Sequence, residues 1–143
     1  MFLTKKPIRF EVMEKEVAVS SMGAVLTFSG IVREDTHPEY GKLRYMKYEA
    51  YESMTEKVLS KTVGEAQVKY GARIFIQHRL GMLRVGEASL VIVVGSPHRD
   101  EAYRASRDVI ETIKHTVPIW KREVWEYGST WSEGCVVSSS FST

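Results

Sequence analysis

The sequence predicts an α+β fold, with two main helices packed on a mostly antiparallel sheet. Three observations carry that expectation. The run Leu90-Val91-Ile92-Val93-Val94 has no polar alternation and reads as a central strand covered on both faces. Two segments show the apolar spacing of helices, and each meets a stop, Gly71 after the first and Pro118 after the second. The other strand-like runs are joined by short turns, so hairpins outnumber helical crossovers.

Residues 8–12 read as a short first strand and 14–21 as a short helix. Residues 23–32 (GAVLTFSGIV) are β-branched and aromatic, and read as a mostly buried strand. The polar stretch 33–42, with Pro38 and Gly41, is either a hairpin connection or a flap. Residues 43–51 alternate aromatic and polar side chains, as a half-exposed strand does. Ser53-Met54-Thr55-Glu56 has the spacing of a capping box. The helix it opens runs to about Tyr70 on a stripe of Met54, Val58, Leu59, Val63 and Ala66, with Gly71 as its C-terminal cap. Strands follow at 73–80 and 89–95 around the turn Arg84-Val85-Gly86-Glu87. The second main helix covers 100–116, turns Ala102, Ala105, Val109, Ile110 and Ile113 inward, and stops before Pro118. Residues 119–127 form a further strand, Gly128-Ser129 a turn, and Trp131 belongs to a last short strand. Residues 135–143 are Ser-rich and expected to fray. The whole, 1–143, reads as one domain without repeats.

The 143 residues are 43% hydrophobic and 27% charged, ordinary values for a globular protein, and the net charge of +2 gives no bulk attraction for nucleic acid. No apolar run reaches the ~18 residues needed to span a bilayer. The opening residues, MFLTKKPIRF, lack the apolar core of a secretory signal. The single cysteine, Cys135, suits a reducing cytoplasm and excludes a Cys-rich zinc site. His37, His78, His98 and His115 have no zinc-protease spacing, so no metal is expected.

The candidate chemistry lies between Ser96 and Glu123. His98-Arg99 stands at a helix start, where free N–H groups and a partial positive charge favour phosphate or carboxylate. The plainer reading is a solvated turn followed by ordinary acidic helix-start residues, Asp100 and Glu101. Lys114 lies on the last helical turn, where the helix dipole alone favours a cation, yet it borders the apolar stripe. Lys121 sits in a strand between Trp120 and Arg122, on the side of Ile119 and Glu123. It is either an edge-strand charge that blocks aggregation or a partly buried lysine with a lowered pKa, suited to acid–base or nucleophilic work. Arg33 follows a strand and either solvates its end or points into a pocket. Phe28 is core or pocket lining. His78-Arg79 is a weak local pattern. The tryptophans are packing residues or stacking platforms.

Five segments together carry a more specific signal: GAVLTFSGIVR (23–33), YEAYESMTEK (48–57), HRLGMLRVGE (78–87), SPHRDEAYRA (96–105) and KHTVPIWKRE (114–123). In this order they resemble the catalytic (large) subunit family of molybdopterin synthase. The resemblance implies an α/β-hammerhead fold. It also implies a sulfurtransferase, moving sulfur from the C-terminal Gly-Gly thiocarboxylate of a small ubiquitin-like subunit onto cyclic pyranopterin monophosphate to form the dithiolene of molybdopterin. It implies a homodimer core with a small subunit at each end, a heterotetramer, and no cofactor, metal, nucleic acid or membrane. By motif, Lys114 and Lys121 are the expected catalytic residues. Arg33, His98 and Arg99 line the substrate pocket, with Phe28 close by. Where some relatives carry an arginine that crosses the dimer, this chain has Gly134-Cys135, and Arg122 or Arg104 is the candidate to replace it. A non-catalytic pterin- or partner-binding subunit of the same fold is the alternative. A nucleic-acid-binding domain is a third reading, disfavoured by the near-neutral charge.

Overall fold

The computed structural model describes residues 1–132. In chain order these form β1 (Leu3–Thr4), α1 (Phe10–Val17), β2 (Ala24–Ile31), β3 (Thr36–His37), β4 (Gly41–Ala50), α2 (Glu52–Tyr70), β5 (Arg73–Arg79), β6 (Gly81–Leu83), β7 (Ala88–Ser96), α3 (Arg99–Thr116), β8 (Ile119–Trp125) and β9 (Ser129–Ser132). The α+β class holds, with the expected short helix present as α1, and with one refinement, two sheets in place of one. One sheet has the order β1-β5-β7-β2, and the other β3-β4-β8-β9 with β6 also on β4. All pairings are antiparallel except β1 with β5.

The unbroken apolar run explains the layering. Val91 and Val93 pack against Met13 and Val17 of α1. Leu90, Ile92 and Val94 face the larger core, with Leu59, Val63 and Ala66 of α2 and Ala102, Ala105, Val109 and Ile113 of α3. Residues 91–94 are 0% exposed. A strand covered by helices on both faces has no solvent side on which to place polar residues. β2, in contrast, ends its sheet, and its residues alternate between half-buried and exposed. The expectation of a mostly buried strand there is corrected for that reason.

The first residues also depart from expectation. Residues 8–12 are not a strand: α1 begins at Phe10 and ends at Val17, four residues earlier than the expected helix. Met13 and Val17, one helical turn apart, form the face that α1 buries. The first strand is Leu3–Thr4, in register with His78 and Arg79. The capping box is not formed either. Tyr51 precedes α2 without a side-chain cap, and the Glu56 carboxylate accepts the Phe2 amide at 2.9 and 3.1 Å and the Leu3 amide at 2.9 Å. Gly71 does cap α2, in the left-handed conformation (φ 59°). Of the two readings of 33–42, the hairpin is found: β3 pairs with the start of β4, and His37 stacks on Tyr40 with ring centroids 4.6 Å apart.

The chain passes between the sheets from β2 to β3, from β4 through α2 to β5, from β5 through Leu80 to β6, from β6 through the 84–87 turn to β7, and from β7 through α3, Val117 and Pro118 to β8. The Pro118 carbonyl accepts the Tyr51 amide at 3.1 Å, tying the start of α2 to that last connection.

Candidate functional site

Lys114 and Lys121 flank the short α3–β8 connection. The Val117 amide donates to the Ile113 carbonyl at 3.2 Å and ends the helix just beyond Lys114. Lys114 is exposed, beside the buried Ile113. Lys121 is half-buried and stands opposite Tyr48 of β4 and Ser132 of β9. Strand alternation puts it on the inward face with Ile119, as expected, and beside the buried Tyr48 ring. Tyr48 also lines a cleft of about 370 Å³ with Lys5, Lys47, Glu49, Leu80 and Trp120.

Arg33 is exposed and follows the buried Val32 at the end of β2. Phe28, half-buried at the middle of β2 opposite Ile92, packs against the main core. His98 and Arg99 occupy the other end of the sheet. The Gly23 amide donates to the Ser96 carbonyl at 3.0 Å, and the Ser96 hydroxyl donates to the His98 carbonyl. His98 is the extended residue before α3 and supplies no side-chain cap. Both His98 and Arg99 are exposed.

In one protomer these residues therefore fall into two groups. β7 runs from Ala88 to Ser96, and α3 returns over β7 and β2. The last turn of α3 thus lies at the end of the sheet where Ile31 pairs with Ala88, the end that carries Arg33. Arg99 is separated from Lys114 by about 22 Å along α3. The nine-residue step from Gly23 to Val32 spans about 30 Å along β2. Arg33 and Lys114 share one end, and His98 and Arg99 the other.

The segment 78–87 supplies groups that single-residue reading missed. His78 is 1% exposed, its Nδ1 lies 2.8 Å from the Arg79 carbonyl, and burial pushes its pKa down to about 4. The Arg79 side chain, 10% exposed, donates from Nη1 to Oε2 of Glu87 at 2.6 Å. Glu87 Oε1 accepts the Arg84 amide at 2.8 Å. The Arg84 amide first, and the Arg79 guanidinium second, hold the Glu87 carboxyl below its ordinary value. The Glu87 carbonyl accepts the Val32 amide at 2.9 Å, and the Gly86 amide donates to the Val32 carbonyl at 2.7 Å. The signal available in the sequence was the opposite charges of Arg79 and Glu87 on either side of two glycines. Both Gly81 and Gly86 adopt positive φ.

Of the two candidates for a cross-dimer arginine, Arg104 pairs with Asp100 at 3.1 Å. Arg122 donates to the Ser129 hydroxyl at 3.1 Å and lies 5.8 Å from the Trp131 ring centroid. Cys135 and the 135–143 tail lie outside the described residues. Among the described residues no cluster of His, Cys, Asp and Glu could hold a metal ion, and no helix is long and apolar enough to cross a membrane.

Comparison with known proteins gives a consistent result. Residues 3–116 match the family described as MoaE protein. The chain is 45% identical over 130 residues to the molybdopterin synthase catalytic subunit of Bacillus subtilis, covering 90% of this chain and 82% of that one. A solved structure of molybdopterin synthase from Staphylococcus aureus superposes with a TM-score of 0.86 at 42% identity, over 92% of this chain and 95% of that one. The fold also recurs, with a TM-score of 0.78 and 21% identity over 92% of this chain and 88% of the other, in a complex of subunits 1 and 2 of molybdopterin-converting factor from Helicobacter pylori.

Proposed function

The chain belongs to the MoaE family, and from that premise we propose that it is the catalytic subunit of molybdopterin synthase. It takes sulfur from the C-terminal thiocarboxylate of a small ubiquitin-like subunit and transfers it to cyclic pyranopterin monophosphate, forming the dithiolene of molybdopterin. The observation that carries this reading is the pair Lys114 and Lys121 about the α3–β8 connection, with Lys121 half-buried against Tyr48.

Both reactants are anions, one through its phosphate and the other through its thiocarboxylate. Arg33, His98 and Arg99 position them, and the lysines stabilise the charge that develops as sulfur attacks the pterin side chain. Lys121, partly withdrawn from water, moves the proton at the reacting centre. The activity belongs to the cytoplasm, whose reducing conditions preserve a thiocarboxylate.

A homodimer accounts for the two groups of site residues. β2 is the terminal strand of its sheet, with Val25 and Ile31 exposed along it. Beside it Leu26, Tyr103, Arg107 and Ile110 line a groove between β2 and α3. A twofold axis through the middle of this surface runs the two copies antiparallel, so that Arg99 of the partner subunit meets Arg33 and Lys114.

Reconstitution with a thiocarboxylated small subunit and the pterin precursor tests the reading. Dithiolene should form with the native chain. Lys121→Ala should make none while still binding the small subunit. No product from verified components would overturn the assignment. Product undiminished by Lys121→Ala would remove Lys121 from the chemistry.

A further inference from the structure

We infer that Arg79 and Glu87 are positioning residues for Arg33. The inference rests on the reading above, in which Arg33 holds an anionic group of the pterin substrate. Arg33 is exposed, and a long side chain at a free strand end has many orientations. Its backbone is not free. Val32, the residue before it, has both of its main-chain polar groups held: its amide donates to the Glu87 carbonyl at 2.9 Å, and its carbonyl, in the peptide that joins it to Arg33, accepts the Gly86 amide at 2.7 Å. The 84–87 turn that makes this clamp is itself closed by the Glu87 side chain. One carboxylate oxygen accepts the Arg84 amide at 2.8 Å and the other the Arg79 guanidinium at 2.6 Å.

The anchor is rigid at its root. Arg79 is the last residue of β5, paired with Thr4 of β1, and its side chain is only 10% exposed. Glu87 lies in the lead into β7, the central strand. The ion pair thus joins the end of one inner strand to the start of another, and the turn between them grips the end of the edge strand β2. An exposed ion pair contributes little to stability. Here a buried guanidinium fixes a carboxylate that also binds main chain, so loss of the carboxylate releases the turn and leaves the guanidinium without its partner. The consequence falls on Val32 and, one residue on, on Arg33.

The test is a double-mutant cycle in the reconstituted reaction with the whole chain, the thiocarboxylated small subunit and the pterin monophosphate. Glu87→Ala should raise KM for the pterin on the order of tenfold, with kcat within about twofold and KM for the small subunit unchanged. Glu87→Gln keeps one acceptor oxygen, enough for the Arg84 amide or the Arg79 guanidinium but not both, and should give a KM between those of the native chain and Glu87→Ala. In an Arg33→Ala background, Glu87→Ala should add little, because both changes remove the same contact. Amide exchange at Val32 should speed up in Glu87→Ala and not in Arg33→Ala. If Arg33→Ala raises KM and Glu87→Ala does not, or if the two effects multiply, the inference is wrong and the substrate reading stands. If Arg33→Ala leaves KM unchanged, the substrate reading of Arg33 fails and the inference falls with it.

Discussion

Tyr48 meets His78 edge-on, with ring centroids 5.2 Å apart and ring planes inclined at 69°, and Tyr48 is also the cross-strand partner of Lys121. A buried imidazole in the first sheet thus supports the ring beside which a half-buried lysine of the second sheet stands. Each member restricts the next by packing, so the inward lysine has a defined wall on one side.

His78 makes stability depend on pH. Its folded pKa is pushed down to about 4 by burial, below the ordinary value of 6.5. Between those values the unfolded chain binds a proton that the folded chain refuses. The contribution is therefore fully present above pH 6.5 and is lost as pH falls toward 4, in total roughly 3 kcal/mol. Urea unfolding from pH 7 to pH 4 should show this slope, and His78→Gln should flatten it. An unchanged slope in the variant would assign the dependence to other groups.

Lys121→Ala should lower the single-turnover rate of dithiolene formation on the order of a hundredfold or more. Its melting temperature should remain near that of the native chain, because the lysine is only half-buried. A large fall in thermal stability would instead show that Lys121 serves the sheet.

A dimer that joins the two ends of β2 predicts complementation. Arg99→Ala and Lys121→Ala should each be inactive alone. Mixed and allowed to exchange subunits, they should recover about a quarter of native activity, since half the dimers are mixed and each of those has one intact site. Absence of recovery after verified exchange would confine each site to one protomer.

Gly23 should not tolerate a side chain. A Cβ there would lie 2.4 Å from the Pro97 carbonyl oxygen, so the chain leading to His98 and Arg99 must move. Gly23→Ala should cost about 1–3 kcal/mol of stability and reduce turnover in the direction of Arg99→Ala. Chemical unfolding and the reconstituted assay measure the two effects. Unaltered stability would show that the 96–98 turn gives way freely.

Long-period patterns were legible in the sequence, and short ones were not. The second main helix begins at Arg99, one residue before the expected start, and ends at Thr116 as expected. Ile113 and Lys114 sit respectively in and beside its buried stripe. Repeated apolar spacing over many residues survives any local error. Residues 8–17 are too few for that. Their pattern is compatible with strand or helix, and the choice falls to Val91 and Val93, which Met13 and Val17 cover. At Glu56 the local motif offered a cap to its own helix, but the amides of Phe2 and Leu3, brought close by β1 pairing with β5, take the carboxylate.

The two main helices with their stops, the central strand and the family motifs belong to the amino-acid sequence alone, because each is carried by residue types along one continuous stretch. What the tertiary structure decided is which distant groups share a neighbourhood. Arg33 and Arg99 both border β2, yet its length holds them apart within one subunit, whereas Arg79 and Glu87 are drawn together because β5 and β7 pair side by side. Such distances follow from strand order and register, which are set by how whole faces exclude water.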